Sequence, residues 1–111
     1  MTTGEHRRSR RVTYYAEALL EGLDSRGSEA RVSDLSVNGA FIDTRMVLAA
    51  GTVTKLTFRI RDREITVTVE VRYAIPEIGM GVRFLNLSPE DGVLIEEVIG
   101  AQTEPSPSGS A

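Results

Sequence analysis

The sequence predicts a mainly β protein: a small antiparallel barrel of about six strands, followed by one C-terminal helix. Three observations predict it. Ile65, Val67, Val69, Val71 and Tyr73 alternate with Thr66, Thr68, Glu70 and Arg72, the period-two pattern of a β-branched strand with one buried face. Several other short runs alternate in the same way and are separated by turn residues, which favours hairpins closing into a barrel. After residue 88 the period becomes helical.

The elements follow in order. Residues 12–22 partly alternate, with Val12, Tyr14, Ala16, Ala18 and Leu20 able to share one face. The Asp, Ser and Gly of residues 24–28 make a turn. Residues 29–36 and 39–44 form two more strands, and residues 48–52 a loop. In residues 54–60, Leu56, Phe58 and Ile60 face one way, and the tight turn at residues 61–63 joins this strand to the Ile65–Tyr73 run as a hairpin. Pro76 breaks that run, and residues 80–87 give a further strand with Met80, Val82 and Phe84 on one side. Ser88 is placed to cap the helix, Pro89 suits its first position, and Asp91 stands three residues after the cap. Leu94, Ile95, Val98 and Ile99 form an apolar stripe that must pack on the barrel, and Gly100 is expected to end the helix. Three segments result: a flexible basic arm (1–11), a barrel with its helix (12–100) and a disordered tail (101–111) with almost no apolar side chains.

Composition excludes several chemistries. There are 111 residues, enough for one domain with its own core, and no cysteine, so no disulfide or thiolate chemistry. The one histidine, His6, lies in the arm, which disfavours a catalytic triad or a zinc centre. The Gly-Met-Gly of residues 79–81 leads into a strand, so it is no dinucleotide fingerprint; these glycines suit a bend or a close approach of backbones. The chain reads as a non-enzyme without metal or cofactor. It has no membrane-length apolar stretch and no apolar signal-peptide core, and reads as cytoplasmic.

Charge is distributed unevenly. The formal net charge is −3, yet Arg7, Arg8, Arg10 and Arg11 crowd the arm, and the chain has 12 Arg against one Lys. Guanidinium groups bind phosphate, stack on flat rings and match the O6 and N7 acceptors of guanine. A second cluster is Asp34, Ser36 and Gly39 at D-x-S-x-x-G spacing, with Asn38 before the glycine. It reads equally as a tight turn, in which Gly39 supplies a positive φ and Asp34 or Asn38 caps the backbone, or as a binding edge. In the second reading Asp34 accepts hydrogen bonds from the N1–H and amine of guanine, and Ser36, two residues along an extended segment, points to the same side.

The combination resembles the PilZ domain. An R-x-x-x-R arm (Arg7, Arg11), about twenty residues to Asp34-x-Ser36-x-x-Gly39, a hairpin, and residues 79–91 leading into a helix cover roughly residues 5–100. The resemblance implies a six-stranded antiparallel split barrel with a C-terminal helix, and a receptor for the bacterial second messenger cyclic di-GMP. It implies that Arg7 and Arg11 clamp guanine and phosphate, that Asp34 and Ser36 are their partners on the barrel, and that Gly39 shapes the turn. Arg8 duplicates the second arginine at the motif's start; His6, Arg10 and Asn38 are secondary candidates. With no second domain in these residues, the output goes through a protein partner not yet identified. Two other readings stand beside it: a PilZ adaptor that binds no nucleotide, and a nucleic-acid-binding barrel with a basic arm. The latter is disfavoured by the acidic remainder of the chain and by only three Phe and three Tyr for stacking.

Overall fold

The computed structural model describes residues 11–21 and 30–103. The arm up to Arg10, the turn expected at residues 24–28 and the chain after Thr103 lie outside the described residues. Six strands close into an antiparallel barrel: β1 (Val12–Leu20), β2 (Ala30–Leu35), β3 (Gly39–Asp43), β4 (Val53–Ile60), β5 (Arg63–Ile75) and β6 (Gly79–Phe84), followed by helix α1 (Pro89–Thr103). Around the barrel the strands run β1-β2-β3-β6-β5-β4. Among the described residues the seam between β4 and β1 is short, with Ala18–Leu20 pairing with Leu56–Phe58. The β4–β5 hairpin, in contrast, stays in register from Val53↔Glu70 to Ile60↔Arg63.

The alternation expected from the sequence sets the inward faces. Val32, Leu35, Ile42, Leu56, Ile60 and Val69 are completely buried, and each such side chain contributes about 1.5–3 kcal/mol by leaving water. Phe58 and Phe84 stack at the barrel's end, their centroids 6.5 Å apart.

Tyr73 departs from the expected pattern: it is 47 % exposed although Val71 is buried. Val71 pairs with Val82 and Tyr73 with Gly81, so β5 uses one residue more than β6 at this point. This β-bulge shifts the phase of the alternation. Arg72 and Tyr73 are both exposed, and Ala74, next to Met80, packs against the core instead. The turn after β4 is also shorter than expected, because Arg63 already opens β5.

The helix begins as its sequence implies. Ser88 Oγ accepts a hydrogen bond from the Asp91 amide at 3.1 Å, an N-cap. The Asp91 carboxylate turns to Arg63 on β5 (3.0 Å), and Glu90 joins it (3.1 Å). Hydrogen bonding and charge from Asp91, and then from Glu90, raise the Arg63 pKa above its ordinary value. Ile95, Val98 and Ile99 are buried, and Leu94 packs on the core at its edge. The helix does not stop at Gly100 but continues to Thr103. Gly100 is exposed, lacks a left-handed φ, and has open space where a Cβ would stand; there it is a tolerated helical residue. Residues 101–103 therefore belong to the folded unit, not to a tail.

Ile95 is the fully buried contact of α1, so Ile95→Ala should lower stability by about 2–5 kcal/mol. The measurement is the shift of the urea midpoint.

Candidate ligand-binding site

β1 and β2 pair antiparallel with Val12 opposite Leu35 and Thr13 opposite Asp34. Continuing that register places Arg11, exposed and just before β1, at the level of Ser36. Arg11, the last residue of the basic arm, thus stands beside the D-x-S-x-x-G segment. Residues more than twenty positions apart in sequence become neighbours by strand pairing alone.

Within the segment, the roles divide. At β2 a bulge sets Ser33 and Asp34 against Phe41, because Val32 pairs with Ile42 and Asp34 already with Phe41. Leu35 returns to the core, fully buried, while Asp34 is half-buried on the outer surface. No side chain among the described residues bonds to the Asp34 carboxylate, which leaves its acceptors available.

Ser36 does not share that outlook. It is 3 % exposed, and its Oγ accepts hydrogen bonds from the Asn38 and Gly39 amides at 3.1 and 3.2 Å and donates to the Gly39 carbonyl at 3.3 Å. One donor and two acceptor positions are all that a hydroxyl has. The expectation that Ser36 points outward beside Asp34 fails because the chain leaves extended geometry at Ser36 and folds the hydroxyl into the turn. The cap expected of Asp34 or Asn38 is thus made by Ser36. Asn38 is exposed, and its carbonyl accepts from the Phe84 amide at 2.8 Å.

Gly39 is required for a different reason than the one expected. Its φ is not left-handed; among the described residues only Gly51, Arg61 and Glu77 have positive φ. Gly39 opens β3 opposite Arg83, and a Cβ there would collide with the Val82 carbonyl oxygen and stand 3.1 Å from the Arg83 Cα. The constraint is close passage of the β6 backbone. Gly79 is constrained by the Ile42 carbonyl oxygen and by the Phe41 ring, which covers its outer side, and Gly81 by the Tyr73 ring.

Strand pairing thus assembles Arg11, Asp34 and the Ser36–Gly39 turn. Arg7, Arg8, Arg10 and His6 lie outside the described residues. A cation not singled out in the sequence joins the group: Arg83, opposite Gly39, is held by Glu70 across the β5–β6 pair at 3.0 Å. Its only sequence signal was its alternation with Val82 and Phe84. A shallow groove lies at the far end of β1–β3, lined by Glu17, Arg31, Asp43, Arg45 and Glu77 among others. It contains none of the motif residues, and Arg31 and Ser33 there already bind Asp43 at 3.3 and 3.0 Å. Among the described residues no cluster of His, Cys, Asp or Glu could hold a metal ion, and no helix is long and apolar enough to cross a membrane.

The described residues thus form a closed antiparallel barrel with an outward carboxylate and a tight polar turn beside its entry strand. The chain belongs to the PilZ domain family, whose model, described as "PilZ domain", matches residues 5–101. Domains of this family are binding or adaptor modules and not enzymes. The fold is similar to that of the inhibitor of motility MotI/DgrA of Bacillus subtilis, with a TM-score of 0.72 and 15 % identity over 90 % of this chain and 52 % of that one. The chain therefore spans about half the length of that protein. It is also similar to the PilZ domain of CeSA from a cellulose-synthesizing bacterium, with a TM-score of 0.59 and 14 % identity over 84 % of this chain and 97 % of that one. No curated protein matches the sequence.

The division of labour in the turn is testable by chemical denaturation. Ser36→Ala removes a buried hydroxyl that satisfies three backbone groups and should cost about 1–3 kcal/mol of stability. Asp34→Ala, which removes no bond among the described residues, should stay within about 0.5 kcal/mol of wild type. Gly39→Ala should destabilise by about 1–3 kcal/mol, the cost of forcing extra atoms into a packed site.

Proposed function

We propose that the protein is a cytoplasmic receptor for cyclic di-GMP that passes its signal to a protein partner. The observation that carries this reading is the β1–β2 register, which brings the base of the arginine arm beside the Asp34 carboxylate and the Ser36–Gly39 turn. A cyclic diguanylate presents two phosphates and two guanines. Asp34 accepts from the N1–H and exocyclic amine of one guanine, donors that arginine cannot satisfy. Arg7 and Arg11 supply forked donors to phosphate and to the O6 and N7 edge, with Arg8 beside the first of them. Ser36 and Gly39 act by holding the turn that aims this wall.

Ordering an arm over a ligand costs on the order of 1–2 kcal/mol per residue of backbone. Charge-assisted hydrogen bonds, worth about 1.5–3 kcal/mol each, offset that cost only when several form together. The closed arm changes the surface around the barrel's entry strand, and a partner that recognises the new surface is favoured by the ligand.

Calorimetric titration with cyclic di-GMP tests the assignment. Wild type should bind, and Arg11→Ala and Asp34→Ala should each weaken binding by on the order of tenfold to a hundredfold. Linear and mononucleotide controls should bind much more weakly. Equal affinity across the three proteins would reject the assigned residues.

A further inference from the structure

The outer surface next to Asp34 contains a feature that the motif residues leave unused. Cross-strand partners run in one row: Asp34 opposite Phe41, Phe41 opposite Gly81, and Gly81 opposite Tyr73. The register shifts at Ser33 and at Arg72 both fall on this row. Each turns residues outward that regular alternation would have placed otherwise, and bulges are concentrated next to binding sites. At one end stands the Asp34 carboxylate. At the other stands Arg72, exposed and with no ion pair among the described residues.

Between them lie two aromatic rings packed over glycines. The Phe41 ring covers Gly79 and the Tyr73 ring covers Gly81, so closely that a Cβ on either glycine would collide with ring atoms. The ring centroids are 6.2 Å apart and the planes are inclined by 34°. Glycine permits this because no side chain stands up between ring and backbone. Both rings therefore pack close to the backbone of β6, and Tyr73 is still 47 % exposed. The row spans three strand spacings from Asp34 to Tyr73, about 14 Å at roughly 4.8 Å each, a length suited to a molecule carrying two purines and not to a single base.

We propose that Phe41 and Tyr73 form a stacking platform for the purine rings of the ligand, with Arg72 meeting a phosphate or the purine edge at its far end. This inference rests on the receptor reading above and extends it: Asp34 reads one guanine edge, and the neighbouring rings support the flat faces. An acceptor, an exposed π surface and a free guanidinium in one line complement a guanine dinucleotide in shape and in charge. Stacking on such a surface tolerates any base, so the platform supplies affinity for a purine ligand, while Asp34 supplies the preference for guanine.

The test is calorimetric titration of the full chain with cyclic di-GMP, using wild type, Tyr73→Ala, Tyr73→Phe, Arg72→Gln and Arg11→Ala, each verified as folded by circular dichroism. Tyr73→Ala should bind on the order of tenfold to a hundredfold more weakly. Tyr73→Phe should bind as wild type does, because the ring and not the hydroxyl is required. Arg72→Gln should weaken binding and flatten its dependence on salt. Saturating ligand should also quench tyrosine emission in wild type and leave that of Tyr73→Phe nearly unchanged, a readout that holds even if Tyr73→Ala is unstable. If wild type binds and Arg11→Ala does not, yet Tyr73→Ala binds normally, or quenching is identical in Tyr73→Phe, the platform is wrong and the receptor reading stands. If Tyr73→Phe is as weak as Tyr73→Ala, stacking is again the wrong account. If wild type fails to bind, both readings fall.

Discussion

The antiparallel pairing of β1 with β2 is the constraint on which the site depends. With Thr13 opposite Asp34, the chain enters the barrel at the level of the turn that follows β2. A shift of one residue would exchange the faces of β1, taking Val12, Ala18 and Leu20 out of the core. The same hydrophobic burial that fixes the core therefore fixes where the arm is delivered. Neither Arg11 nor Asp34 contributes to that register; both inherit their positions from apolar neighbours.

The site is separated from the stabilising interactions around it. Ser36 and Gly39 are committed to the backbone, one by its three hydrogen bonds and the other by the passage of β6. Asp34, by contrast, is half-buried, and its carboxylate has no bond among the described residues. A carboxylate in that condition contributes little to folding and can be supplied with donors from outside. The motif thus combines residues that build a wall with a residue that presents chemistry on it. The bulges at Ser33 and Arg72 serve the same division, since each turns side chains to the outer surface while the strand on either side continues to fill the core.

Much of the fold was legible because period-two patterning in β4 and β5, and the capped apolar stripe of α1, are local signals repeated over many residues. Legibility ended where one residue's role depends on a neighbour distant in the chain. Tyr73 belongs to the buried face by alternation, but the bulge opposite Gly81 reverses it. Gly39 reads as a turn glycine until the Val82 carbonyl is placed beside it. Gly100 reads as a stop, yet the helix continues through this exposed position because one glycine costs only about 1 kcal/mol there. Ser36 reads as a ligand contact from its spacing, whereas its hydroxyl is occupied within the turn.

By itself, then, the sequence determined the class of fold, the family and the residue types of the candidate site: arginines in an arm and an aspartate in a strand–turn motif. These follow from periodicity and short motifs, which are properties of neighbouring residues. Only the tertiary structure decided that Arg11 stands beside the motif, that Asp34 faces outward while Ser36 does not, and that Phe41 and Tyr73 lie together over glycines. Those relations are set by strand register and by single-residue bulges, where pairing energy between distant segments chooses among faces that the local pattern leaves equivalent.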